Sequence, residues 1–431
     1  MKYDKRLYPF QREAVVFIEA SGGRCILGDE MGLGKTVEAL CWTQNHTNIG
    51  RILVIAPANV IFKWKREIET WTTRRANLIL TMRGTIPRAQ TLICSYTIMA
   101  GRFKELRALG FDLVIWDEAH YLKGNRKKTK RVAASLQLKS PFVLFLTGTP
   151  FLNRPIELFN LLDMAQPGKW NLGSYGIRYC GGFDYWEGPL QGATNLSELQ
   201  SRLKSVMIRR LKRDVLTELP KLQRVVVPVE IGTAEYKEAL KNINRTNAMT
   251  KIMDAWHILG REKAKIAVEW TKEFFEQAEP GTKLVLYAHH LDVMDYLDTE
   301  LRQYGTFKIS GSVAPARRDA LVRGFQSGAS PRVAIINKAG GEGIDLFGIN
   351  DIDSSNILFV ERQWTPAIEM QAEGRLDRIG QTLPVTAYYL SAVGTFDEYM
   401  EETIAEKRAI LGATIKMEDV EVRNEILKRF I

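Results

Sequence analysis

Residues Asp29 to Thr36 read DEMGLGKT, and a lysine and a hydroxyl side chain behind closely spaced glycines form a set that grips phosphate. Gly32 and Gly34 let the backbone turn its N–H groups toward phosphate oxygens. Lys35 is positioned to reach β- and γ-phosphates, and Thr36 to hold Mg²⁺. Asp29 stands where the G-x-x-x-x-G-K-T pattern has its first glycine, and it is counted among the nucleotide-binding residues. Further along, the apolar run FDLVIWDEAH ends in Asp117 and Glu118. Hydrolysis of a metal-bound triphosphate needs one carboxylate at the metal and a second to orient or deprotonate water. Asp117 suits the first role, directly or through water, and Glu118 the second, while His120 would couple the pair to neighbouring elements. The expected cofactors are therefore ATP and Mg²⁺.

These residues need elements that hold them. The first half of the chain alternates strand-like and helix-like stretches, as a parallel α/β lobe should. GGRCILGD (22–29), RILVIAPA (51–58), TLICSY (91–96), FDLVIWDE (111–118) and PFVLFLTG (141–148) read as strands. Each ends in polar residues at its C-terminal edge, where open α/β sheets place ligands. Residues 151–225 break the rhythm with a short helix, a stretch rich in glycine and aromatic residues, and the basic helical segment LQSRLKSVMIRRLKRDVL. A second series follows in RVVVPVEI, KLVLYAHH, TFKISG, VAIIN, NILFVE and VTAYYLS, with a long helical region between the first two. The expected divisions are a nucleotide-binding lobe over 1–165, a compact helical insertion and linker over 166–225, a second lobe over 226–395 and a tail of two polar helices over 396–431.

Bulk properties narrow the partners. The 60 basic and 50 acidic residues leave a charge of +10, which suits a polyanion. Cys25, Cys41, Cys94 and Cys180 form no C-x-x-C pair, so they are read as reduced structural thiols and not zinc ligands. No apolar run suggests a membrane span or a secretory signal. The expected compartment is the cytoplasm.

In order along the chain, DEMGLGKT, DEAH, LTGTP and QAEGRLDRIGQ resemble the motifs of superfamily 2 helicases and, more narrowly, of Swi/Snf-type ATPases. MIRRLKRDVLTELPKLQR (207–224) is similar to a segment characteristic of the latter. YAHH (287–290) together with QAEGRLDRIGQ resembles the annealing-helicase (HARP-type) subgroup. The likeness runs from about Leu7 to Tyr399 and implies an α/β fold of two RecA-like lobes with the insertion between them. It makes Gln11 in LYPFQ the reader of the adenine edge. It sets Lys63 and Trp64 near the DNA backbone and makes Thr147 and Thr149 the link between ATP and the nucleic-acid track. Trp364 joins the candidate nucleic-acid contacts, although core packing competes for both tryptophans. Gly343 and Asp345 match the G-x-D of motif V and join the nucleotide-binding set. Gln371, Arg375 and Arg378 match the final motif. The two arginines lie three apart, so on a helix they share a face. Arg378 is the expected arginine finger, with Arg375 beside it. One departure is that FGINDIDSSN (347–356) is longer than the family pattern.

The resemblance implies a motor that tracks duplex or branched DNA, closing two lobes on one ATP. The basic patches LKGNRKKTKR (122–131), Arg74–Arg75 and RRLKR (209–213) would hold phosphates without sequence specificity. A monomer is expected, with the tail from Phe396 available to protein partners and no membrane partner. Economy of length favours a bacterial or viral source, with the nucleus as the compartment of a eukaryotic one. Two rivals stand beside this reading. A strand-separating helicase on single-stranded DNA or RNA would share the ATP chemistry. A DNA-binding scaffold with a silent ATP site would have lost Lys35, Glu118 or Arg378, and all three are present.

Overall fold

The segments CIL, ILVIA, LICS, LVIW and VLFL are apolar at nearly every position because both faces of each strand are covered, as in parallel sheets flanked by helices. In the computed structural model, which describes residues 6–401 apart from 124–128, 149–154, 182–191, 217–221, 233, 242–247, 312, 342, 350–351 and 365, the chain divides into two units between Thr217 and Glu218.

The first unit is built on seven strands: β1 (Arg24–Leu27), β2 (Ile52–Ala56), β3 (Ala76–Ile79), β4 (Thr91–Ser95), β5 (Leu113–Asp117), β6 (Phe142–Leu146) and β7 (Met207–Ile208). They lie in the order β3-β4-β2-β5-β6-β1-β7, with every pair parallel. Alternate residues serve opposite faces. Leu53, Ile55, Val114 and Trp116 point into one buried cluster, whereas Val54, Leu113 and Ile115 point into the other.

The second unit has six strands: β8 (Gln223–Val229), β9 (Leu284–Tyr287), β10 (Thr306–Ile309), β11 (Val333–Ile336), β12 (Asn356–Phe359) and β13 (Thr386–Ala392). Their order is β10-β11-β9-β12-β13-β8, again all parallel. Pro228 sits in β8, at the sheet edge, where a residue without an N–H is tolerated. The 30-residue helix Ala248–Gln277 covers one face, burying Ile252, Trp256 and Leu259 in its core.

Two parallel α/β lobes are thus present, with different limits from those expected. Trp170, Tyr175, Tyr179, Leu199 and Leu203 all bury in the first lobe's core, so the part of 166–225 before the division is an extension of that lobe. Met207–Ile208, read as helix from its basic surroundings, is a strand because the free edge of β1 supplies its hydrogen bonds. The strand β3 is also absent from the sequence reading, because at the sheet edge only Ala76 and Ile79 of its four residues are buried and no apolar run marks it. Phe396 and Met400 are buried in the second lobe, so the tail begins inside the core, and its remainder lies outside the described residues. All four cysteines are buried and none is in a disulfide. No helix among the described residues is long and apolar enough to cross a membrane.

Candidate active site

The phosphate loop follows β1 and opens the helix Lys35–Asn45. Gly32 and Gly34 take φ of 87° and 89°, the left-handed backbone open to glycine at no steric cost. The Lys35 ammonium donates to the carbonyls of Asp29 at 2.7 Å and Glu30 at 3.2 Å, which holds it within the loop. Desolvation lowers its pKa, against the pull of Glu118, Asp29, Glu38 and Asp117.

Asp117 ends β5, two places from β1 in the sheet. Its Oδ2 accepts the Trp64 indole N–H at 2.7 Å, and its Oδ1 accepts the Glu118 N–H at 3.0 Å. Burial first and Glu118 second push its pKa up to about 6, opposed by the Trp64 hydrogen bond and by Lys35. Glu118 takes φ 49°, a region that costs a non-glycine residue on the order of 1–3 kcal/mol and concentrates at functional sites. His120 Nδ1 lies 3.3 Å from Glu118 Oε2 and 3.4 Å from Thr147 Oγ1. Thr147 follows β6, so the carboxylate, the imidazole and the hydroxyl connect the C-terminal ends of two adjacent strands.

In the second lobe, Gln371 lies on the helix Pro366–Glu373 and lines a small pocket with Arg375, Lys338, Asn337 and Tyr287. Arg378 Nε donates to the Gly374 carbonyl at 2.9 Å, and its Nη1 pairs with Asp345. Leu346 N–H donates to the Arg375 carbonyl at 2.9 Å, so the loop bearing Asp345 and the turn bearing the arginines are fastened together. Gly343, with φ 71°, supplies the left-handed turn that brings Asp345 round.

A phosphate loop and acidic pair on one parallel sheet, and a Gln-Arg-Arg set on a second, point to one group of proteins. The model of the SNF2-related domain matches residues 10–266, and that of the helicase conserved C-terminal domain matches 266–380. The chain belongs to the SNF2-related family. Among curated relatives, this SNF2-related chain is 32% identical over 95% of its length to the SWI/SNF-related matrix-associated actin-dependent regulator of chromatin subfamily A-like protein 1 of Xenopus tropicalis, covering 45% of that protein. It is 31% identical over 95% of its length to the human DNA annealing helicase and endonuclease ZRANB3, covering 40% of it. The chain thus spans less than half the length of these two relatives. Among solved structures it is similar to the Sulfolobus solfataricus SWI2/SNF2 ATPase core in complex with dsDNA, at 22% identity and a TM-score of 0.47, covering all of this chain and 97% of that one.

Several expected roles change in this SNF2-related chain. Trp64 is 2% exposed and serves Asp117 instead of a DNA backbone; Lys63, next to it, is half-buried. Trp364 packs edge-on against Trp256 and stacks on Phe396, so it too is core. Gln11 is buried, donating to the Leu33 carbonyl at 2.9 Å and accepting the Tyr8 N–H at 3.1 Å; its amide braces the phosphate loop from behind. Asp29 turns its carboxylate away from the loop onto Arg210. Arg375 and Arg378 do not share a helical face, because the helix ends at Glu373 with Gly374 directly after it. Arg375 joins the Gln371 pocket, and Arg378 turns to Asp345. Thr149 and residues 124–128 of the basic patch lie outside the described residues. Arg210, read as part of the basic patch 209–213, is instead paired with Asp29, and sequence reasoning missed Tyr96, whose hydroxyl donates to the Asp117 carbonyl at 2.7 Å. Nothing in local spacing announces either contact.

Proposed function

We propose that this chain is an ATP-dependent translocase on double-stranded DNA, of Swi/Snf type, which moves along or remodels DNA by rewinding or reshaping forks. The observation that carries this reading is the linkage of Asp117, Glu118, His120 and Thr147 across adjacent strand ends beside the Lys35 loop.

The residues fit Mg²⁺ and a triphosphate. Among the described residues no group of three His, Cys, Asp or Glu side chains could hold a metal unaided. Mg²⁺ is commonly held by one or two carboxylates together with substrate phosphates. Each Asp117 oxygen accepts one hydrogen bond, and a carboxylate has about four lone-pair sites, so acceptor capacity remains. Bound Mg²⁺ would supply charge neutralisation at the β- and γ-oxygens.

The chain's own residues do the rest. Lys35 and the Gly32 and Gly34 backbone hold phosphate, and Thr36 and Asp117 provide the oxygens for the metal. Glu118 orients the attacking water, and His120 passes its position on to Thr147. Gln371, Arg375 and Arg378 come from the second lobe and place positive charge on the transferring phosphoryl group. Because Lys35 and these arginines belong to different lobes, turnover requires lobe closure. Closure and release would then shift two nucleic-acid grips relative to each other.

Supporting the DNA part are the net charge of +10, the 30–32% identity to annealing-helicase and SWI/SNF-related proteins and the exposed basic Arg75. The test is ATP turnover with single-stranded, duplex and forked DNA, with Lys35→Ala as the blank. Duplex or forked DNA is expected to stimulate, and Arg378→Ala to abolish turnover while DNA binding persists. Stimulation by single strands or RNA, with none by duplex, would overturn the duplex reading and favour the strand-separating alternative.

A further inference from the structure

Two arginines outside the ATP chemistry flank the division between the lobes, and each is fixed to a catalytic element of its own lobe. Arg210 donates its backbone N–H to Asp29 Oδ1 at 2.8 Å and its Nε to Asp29 Oδ2 at 3.0 Å. Its Nη2 reaches Asp29 Oδ2 and, at 3.3 Å, Glu38 Oε1. Asp29 and Glu38 are completely buried. The backbone continues the attachment: Gly28 N–H donates to Ile208 O at 2.8 Å and Glu30 N–H to Arg210 O at 2.9 Å. Lys212 N–H then donates to Glu30 Oε2 at 2.7 Å. The strand leaving the first lobe is thus laced along the phosphate loop from Gly28 to Glu30.

Arg224 does the corresponding work where the chain enters the second lobe. Its Nε and Nη2 form a bidentate pair with Glu373, both at 2.7 Å, and the Tyr389 hydroxyl donates to the same carboxylate. Glu373 is the last residue of the helix that carries Gln371. Its carbonyl accepts the Leu376 N–H at 3.0 Å, inside the turn that carries Arg375.

These pairs are costly ways to gain stability. A buried ion pair often stabilises no more than apolar residues of similar volume would. What a bidentate guanidinium–carboxylate pair does supply is fixed geometry. Burial and the nearby Asp29 hold the Glu38 carboxyl well above its usual range, against the opposing pull of Arg210 and Lys35. Arg210 is therefore the cation that pairs with the buried Asp29 at the start of the phosphate loop.

We propose that Arg210 and Arg224 are positioning residues that fasten the chain joining the lobes to the phosphate loop at one end and to the arginine-bearing turn at the other, coupling lobe movement to the ATP site. Arg210 sets the loop that binds nucleotide, so its loss acts on ATP affinity. Arg224 sets the turn that serves the transition state, so its loss acts on turnover under stimulation. The inference rests on the ATPase reading above.

The experiment compares wild type with Arg210→Gln, the double variant Asp29→Asn/Arg210→Gln, Arg224→Gln and Arg224→Lys in the full chain. It measures KM for ATP and kcat with and without duplex DNA, together with the melting temperature. The double variant removes both members of the Asp29–Arg210 pair, so the buried Asp29 carboxylate is not left without its arginine, and Glu38 is the buried carboxyl that still loses it. It is expected to melt closer to wild type than Arg210→Gln and still to raise KM for ATP roughly tenfold. Arg224→Gln is expected to leave KM within about twofold and to lower duplex-stimulated kcat roughly tenfold, with Arg224→Lys recovering only part because lysine lacks the planar fork. A double variant with wild-type KM, or an Arg224→Gln chain with wild-type stimulated kcat, overturns the proposal. The Arg224 side chain is 38% exposed, so its split between KM and kcat stays readable and decides the matter if the variants at 29 and 210 fail to fold. A wild-type chain that duplex DNA does not stimulate overturns the functional reading and this inference together.

Discussion

Glu118 combines an acidic side chain with a left-handed backbone, φ 49° and ψ 52°, directly after a strand whose last carboxylate is kept from ionising easily by burial. The two carboxyl groups therefore differ in environment: Asp117 is held by an indole and a backbone N–H, and Glu118 lies against an imidazole. Glu118→Gln keeps shape and backbone but removes the base, so DNA-stimulated kcat should fall by about 10²–10⁴-fold, the usual worth of general acid–base catalysis. Binding of a fluorescent ATP analogue should change little. A loss of nucleotide binding equal to the loss of kcat would remove Glu118 from the role assigned to it.

Elements are held to each other by a few buried charges. Lys263 on the long helix and Asp397 after β13 are both fully buried and pair at 2.5 Å, and Asp397 also accepts the Ala392 N–H at 3.2 Å. Breaking one partner leaves an uncompensated buried charge, so Asp397→Ala should lower unfolding free energy by roughly 3–5 kcal/mol, read from urea denaturation. Lys283, at the entry to β9, donates to the carbonyls of Gly328 and Pro331. Burial first, and Arg332 second, lower its pKa from 10.5 to about 8. The unfolded chain then binds more protons than the folded one between these values, so this group's contribution to stability rises with pH across that window. Comparing urea midpoints of wild type and Lys283→Met at about pH 7.5 and about pH 10 should show the rise only in wild type.

For the molecule as a whole, the residues proposed for catalysis are divided between two sheets with separate cores. If the chain binds DNA as proposed, its excess of positive charge makes that binding strongly dependent on salt. If six to ten phosphates are neutralised, affinity should fall by about 10³–10⁵ between 50 and 200 mM salt. A fluorescence-anisotropy titration of a labelled duplex measures this slope. A flat salt response would exclude a backbone-tracking mode of binding. The same titration with Lys35→Ala should give an unchanged slope, since the phosphate loop is assigned to nucleotide and not to DNA.

The sequence alone determined what is local. Strands β1, β2, β4, β5 and β6 were legible because both faces of each are buried, which writes an apolar run into the chain. The setting of Gly32, Gly34 and Lys35 between a strand and a helix was legible because such a unit is consecutive in the chain, and that of Asp117 and Glu118 because an apolar strand ends at them. The tertiary structure decided which way side chains face and what meets over long distances. The Asp29–Arg210 pair joins positions 181 apart, and β7 exists only because β1 offers it an edge. For Trp64 the family resemblance offered a DNA backbone and core packing was the rival; β5 decides for the core by placing Asp117 beside its indole. Arg375 and Arg378 shared a face only while their helix was assumed to continue; its end at Glu373 sent them to different partners. Local spacing constrains backbone conformation, whereas the direction of a buried charge follows from which counter-charge the folded chain delivers to it.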